Sequence, residues 1–231
     1  MHIVTPTEIT SIAWEGELTP PEIMRSSQHT ARPVVTLGQP ELWPAGKALE
    51  TEVGKKWTPP LGDADFYLLR LACTLREPSG DPTITEATET LYLRPKNSAA
   101  GERAAYAHSL FPDRVSVEGK AEFGLKLSPE LKLTGAEVKV GEAGVTIEYR
   151  QVFPVIQSFG VGEPTPYWIF RPHAAFPLNG SQYVYAVIAA TKSANGTRAF
   201  VELTVTVQSQ WGPVRYGLPE EAKVHTSFTI P

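Results

Sequence analysis

The sequence predicts an all-β protein: an antiparallel β-sandwich of about ten strands, with a proline-rich N-terminal arm carrying one short helix. Three observations carry that expectation. From Phe66 onward the dominant hydrophobic period is two, the repeat of a pleated strand rather than of a helix. Each change of phase coincides with glycine or proline, as at tight turns between successive strands. The 21 prolines and 18 glycines argue against a helical bundle, while 42% apolar and 20% charged residues are globular rather than disordered.

Residues 1–62 read as an arm packed on the core, and residues 63–231 as the sandwich domain. Prolines at 6, 20, 21, 33, 40, 44, 59 and 60 interrupt the arm before elements reach ordinary length, because proline fixes φ and removes a backbone donor. Short extended pieces are expected at Thr7–Trp14 and Pro33–Leu37. A helix is expected from Glu41 to about Lys56, where Leu42, Ala45, Leu49, Val53 and Trp57 recur at helical spacing, with Gly46 counting against it.

In the stretch around Phe66–Leu75, Cys73 shares parity with Tyr67, Leu69, Leu71 and Leu75, which makes it a small core residue. The clearest alternation runs from Val115 to Leu133. Its odd positions are apolar, glycine or proline, and its even positions are serine, glutamate, lysine or glycine. Ser128-Pro129-Glu130 reads as a turn or bulge. The alternation resumes out of phase at Ala136, Val138 and Val140, then again at Val145, Ile147 and Tyr149.

A second strong hairpin is expected from Gln182 to Gln208, turning near Asn195-Gly196. Its first strand, Tyr183–Ala189, is apolar on both parities and should be covered on both faces. Weaker strands are expected at Thr88–Arg94, Val152–Phe159, Tyr167–Phe170, Val214–Leu218 and Val224–Ile230, and helical turns at Ala99–His108 and Pro219–Lys223. Closure into a barrel is the alternative architecture. Trp14, Trp43, Trp57 and Trp211 stand apart in sequence and read as anchors of the arm and the C-terminal segment.

The formal net charge is -4, from 21 basic and 25 acidic residues, with no basic stripe, so no nucleic-acid partner is expected. One cysteine rules out a disulfide-stapled scaffold. Met1–Pro6 has neither a basic nor an apolar leader region, and the longest apolar run, Tyr183–Ala190, is too short for a membrane helix, so a cytoplasmic protein is expected. Asn179-Gly180-Ser181 and Asn195-Gly196-Thr197 then read as Asn-Gly turns rather than glycosylation acceptors.

His2, His29, His108, His173 and His225 have no metal-ligand spacing. Gly160-Val161-Gly162 opens like a dinucleotide fingerprint, but Thr165 replaces the third glycine, and Pro164 and Pro166 forbid the helix that the mechanism needs. Glu118, Glu122 and Glu130 alternate with lysines on a wet strand face, where nothing raises a carboxyl pKa. No catalytic, metal or cofactor site is predicted, and an enzyme is the least favoured class.

One segment looks unlike plain scaffold. Phe159–His173 combines a glycine- and proline-shaped loop with Glu163, Tyr167, Trp168, Phe170, Arg171 and His173. Tyrosine, tryptophan and arginine anchor interfaces and make sugar-stacking platforms. The bland alternative is that these aromatics plug one end of the sandwich. The expected function is a non-catalytic protein-interaction or assembly module, with an unidentified protein partner and homo-oligomerisation through the arm as a subsidiary expectation. A carbohydrate-binding sandwich is one alternative. The other is a membrane-inserting β protein, since Val115–Leu127 is long enough for a barrel strand; this is the less favoured reading because any sandwich strand shows the same pattern.

Overall fold

The structure is a computed structural model, and it describes residues 2–3, 11–20, 32–51, 54–60, 62, 64–77, 83–96, 105–114, 138–141, 144–147, 155–172, 178–192, 196–209 and 212–231. Along the chain these form β1 (His2–Ile3), β2 (Ile12–Glu17), β3 (Val34–Gly38), β4 (Glu41–Pro44), α1 (Ala45–Ala48), β5 (Leu49–Glu50), β6 (Ala64–Arg76), β7 (Thr83–Pro95) and β8 (Tyr106–Phe111). They continue as β9 (Val138–Gly141), β10 (Gly144–Ile147), β11 (Val155–Phe159), β12 (Tyr167–Arg171), β13 (Gly180–Thr191), β14 (Thr197–Ser209), β15 (Gly212–Gly217), α2 (Glu220–His225) and β16 (Ser227–Ile230).

Two six-stranded antiparallel sheets face each other. The first runs β2-β3-β6-β13-β8, with β4 also paired to β6. The second runs β11-β12-β7-β14-β15, with β16 also paired to β14. Alternation explains the layers directly. On β7, Ala87, Leu91 and Leu93 point inward, and on β14 Ala199, Val201, Leu203, Val205 and Val207 do the same. Leu69, Leu71, Cys73 and Leu75 meet them from β6, with Val184, Ala186 and Ile188 from β13.

The protein is therefore a sandwich, and backbone hydrogen bonds join its sheets along both edges. Thr19 exchanges N–H···O bonds of 2.8 and 2.9 Å with Gly217, linking the β2 side to the β15 side. At the opposite edge, Ala107 donates to Glu163 (3.0 Å) and Gly162 donates to Ala107 (2.7 Å).

The outer face of the first sheet carries a second core. Ile3, Ala45, Ala48 and Leu49 cover Leu68, Tyr185 and Val187, with Trp43 and Trp57 packed alongside. This is why β13 is apolar on both faces. Trp14 instead packs on the main core, and Trp211 lies outside the described residues.

Three local expectations change. The helix expected from Glu41 is confined to Ala45–Ala48, because the flanking residues form β4 against β6 and β5 against β1. His108, expected in a helical turn, lies on β8 with its ring 5.3 Å from Phe66 and 6.2 Å from Trp57. The hairpin expected from Gln182 to Gln208 does not form, since β13 pairs with β6 and β8 while β14 pairs with β7, β15 and β16. The turn at Gly196 (φ 95°) instead carries the chain from one sheet to the other. A turn signal fixes chain reversal, not which neighbour supplies the hydrogen bonds.

Candidate functional site

The β11–β12 hairpin holds most of the residues singled out in the sequence, and alternation divides them. Trp168 and Phe170 are both 0% exposed and fill the main core, so they serve packing rather than a surface. Glu163, Tyr167 and Arg171 lie on the outside of the hairpin, and His173 lies outside the described residues. Tyr167 stacks on Phe159 with centroids 5.0 Å apart and planes at 17°. Arg171 Nε donates to Glu86 Oε2 (3.0 Å), and its Nη1 donates to Gln157 Oε1 (3.1 Å).

The hairpin tip leaves Phe159 40% and Val161 60% exposed, two of the few large apolar side chains that reach solvent among the described residues. Gly160 allows this turn. Its φ is +91°, and a Cβ there would stand 2.9 Å from the Pro166 Cα.

The hairpin base lies beside both ends of a long connection, here called the excursion. Residues 112–154 connect β8 to β11. Their flanks are pinned together by the Arg114–Gln157 bridge and by the Ser158 N–H donating to Asp113 O at 2.9 Å. The alternating stretch from Val115 to Leu133 belongs to this excursion and lies outside the described residues. Within the excursion, β9 and β10 pair antiparallel with each other and, among the described residues, with neither large sheet.

Two buried ionisable groups were not singled out in the sequence. Glu89 is 1% exposed and sits on β7 between Trp168 and Leu203, facing the other sheet. Its Oε2 and the Trp168 Nε1 are both buried without a hydrogen-bond partner among the described residues. Burial pushes the Glu89 carboxyl up to about 8. Burial, and secondarily the Glu89 charge, raises the Cys73 thiol well above its ordinary value, so Cys73 is an inert core residue. The signal for Glu89 was its parity with Ala87, Leu91 and Leu93.

Arg70, 2% exposed, is paired with Glu41 of β4, and its guanidinium lies 5.2 Å from the Trp43 ring centroid. It anchors the N-terminal segment on the outer face of the first sheet. Burial raises the nearby Tyr185 hydroxyl above its usual range, with Arg70 pulling the other way.

Two cavities lie among the described residues. One of about 10 Å³ beside Glu89, with Leu37, Leu71, Val201 and Thr226 in its wall, has the volume of about one water. A larger open cleft of about 400 Å³ is lined by Thr19, Pro20, Arg32, Leu218, Pro219 and Glu220. Among the described residues no group of three or more histidine, cysteine, aspartate or glutamate side chains could hold a metal ion.

No family model and no curated protein matches the sequence. Among solved structures, the chain is similar to the Clostridium perfringens NetB toxin in its membrane-inserted form, at 10% identity and a TM-score of 0.35, over 96% of this chain and 92% of that one. It is also similar to a structure described as a pore forming protein, at 10% identity and a TM-score of 0.36, over 99% and 92% of the two chains. Likeness this loose carries no functional inference.

Proposed function

We propose that this chain is a non-catalytic β-sandwich that assembles with further copies of itself at a membrane and delivers residues 115–154 into the bilayer as strands. The observation that carries the reading is the excursion between β8 and β11. Its ends are fastened side by side on a rigid sandwich, and its sequence alternates from Val115 to Leu133, with Ala121, Phe123, Leu125 and Leu127 on one parity and only polar residues or glycine on the other. About 9–11 residues of such alternation cross a bilayer as a tilted barrel strand.

Assembly follows from backbone chemistry. Strands in lipid must satisfy every N–H and C=O by closing a barrel, and the smallest single-chain barrels have about eight strands. Two strands per copy therefore require several copies. The outer sandwich faces stay fixed while the excursion alone changes environment.

The test is dye release from sealed phosphatidylcholine vesicles at micromolar protein. Release by the wild type, lost in Phe123→Asp and Leu125→Asp variants with unchanged thermal unfolding, supports insertion. Intact vesicles with the wild type refute it.

A second reading is favoured by one observation, the exposed Phe159 and Val161 at the β11–β12 tip. They would anchor a protein partner, with Tyr167 behind them as a rigid support. Serine at both positions would then abolish a complex isolated from the native source, while membrane insertion through residues 115–154 would persist.

A further inference from the structure

The outer face of the second sheet gathers positive charge at one end, where among the described residues no carboxylate pairs with Arg94 or Arg198. Arg94 on β7 and Arg198 on β14 are direct cross-strand partners. Both are exposed, because their chain neighbours Leu93 and Ala199 point into the core. Lys96 shares Arg94's parity, and its chain lies over Gly196, with Cδ 3.9 Å from where a glycine Cβ would stand.

Like charges placed directly opposite on neighbouring strands destabilise a sheet. Among the described residues neither arginine has a carboxylate within ion-pair range. This happens in a protein whose net charge is -4, so the cluster is not a by-product of a basic composition.

Arg94 rests on an aromatic floor. Tyr92 and Phe200, the next cross-strand pair on the same face, stack at 4.5 Å with planes 6° apart. The Arg94 guanidinium lies 5.1 Å from the Phe200 centroid and 6.0 Å from that of Tyr92. A cation–π contact of this kind restrains a guanidinium while leaving N–H groups able to bind outward. The nearest acid along β14, Glu202, accepts the Tyr92 hydroxyl at 2.9 Å and so is already engaged.

We propose that Arg94, set over the Tyr92–Phe200 stack, forms with its cross-strand partner Arg198 and the neighbouring Lys96 a binding site for a tetrahedral oxyanion of the phosphate-monoester type. Two adjacent guanidinium groups match a doubly charged anion with several acceptor oxygens, each able to bind it through paired N–H groups. The anion relieves the repulsion between the arginines. The site does not depend on membrane insertion by residues 115–154. Two sources share this chemistry, a soluble phosphorylated molecule and a phosphomonoester lipid headgroup.

The experiment is titration of the full chain with inorganic phosphate at low ionic strength, followed by NMR of the arginine side-chain N–H groups, with sodium chloride at matched ionic strength as control. Saturable shifts confined to Arg94 and Arg198 are expected. Arg94→Gln and Arg198→Gln should each weaken phosphate binding about 10-fold, the scale of losing one charge-assisted hydrogen-bonded partner. Arg198→Lys should weaken it as well, because an ammonium cannot reproduce the fork. Both positions are exposed, so neither glutamine variant should lose thermal stability, and relief of the like-charge pair should raise it slightly.

Vesicles of phosphatidylcholine with and without phosphatidic acid then separate the sources. Arginine-dependent binding only to phosphatidic acid vesicles assigns a headgroup, and phosphate binding without vesicle binding assigns a soluble ligand. Absence of saturable shifts, equal shifts with chloride, or full binding by the double glutamine variant overturns the proposal.

Discussion

Replacing Glu89 with glutamine should make the protein more stable at neutral pH, an unusual direction for a substitution in a core. An unfolded carboxyl titrates near 4.5, whereas burial between the sheets holds the folded one near 8. Between those values the folded chain keeps a proton that the unfolded chain has released. Stability therefore falls as pH rises, by about 1.4 kcal/mol per unit. The contribution is fully present below about pH 4.5 and is lost as pH climbs through about 8. At pH 7 the deficit spans about 2.5 units, or about 3 kcal/mol.

Glutamine keeps the shape, cannot ionise, and removes that deficit. For a chain of this size the gain corresponds to about 6 °C or more in Tm. The assay is urea or thermal unfolding of both proteins from pH 5 to pH 9. Wild-type stability should decline relative to the variant across this range, with the curves converging toward pH 5. A difference that does not change with pH, or a glutamine variant less stable than wild type at pH 7, would refute the reasoning.

Four further outcomes follow from the same packing. Glu41→Ala should cost about 3 kcal/mol or more in urea unfolding, because it removes a charge partner of the buried Arg70. Trp168→Phe should cost far less than Trp168→Ala, about 3–5 kcal/mol, since the lost indole N–H has no partner while the lost ring leaves a cavity. Cys73 should react with a thiol reagent only as fast as the protein opens, because its thiol is buried and its pKa raised. Phe159→Ser should cost about 0.5–1.5 kcal/mol in urea unfolding, the scale of the stacked pair it forms with Tyr167.

The fold class was legible because alternation is a local property that survives in the sequence. β7, β12, β14 and β15 each show it, and the residues expected on the dry face of β14, Ala199, Val201, Leu203, Val205 and Val207, are buried. The coverage of β13 on both faces was legible for the same reason, since neither of its parities is polar. Part of the candidate site was legible too. The Phe159–His173 stretch was visible as an aromatic loop, yet its division into core and surface follows only from which parity meets β7. Trp168 and Phe170 look like interface anchors in the sequence and turn out to face Glu89 and the opposite sheet.

By itself the sequence determined which residues alternate, where the chain must turn, and that no motif for metal or nucleotide chemistry is encoded locally. The tertiary structure decided which strands are neighbours. It separated β13 from β14 into opposing sheets, set Arg94 against Arg198, buried Glu89, and brought Arg114 back to Gln157 across the excursion. The physical reason is range. Strand period and turn chemistry act over a few residues, whereas pairing between strands depends on hydrogen bonds and packing among segments far apart in the chain, which no local pattern specifies.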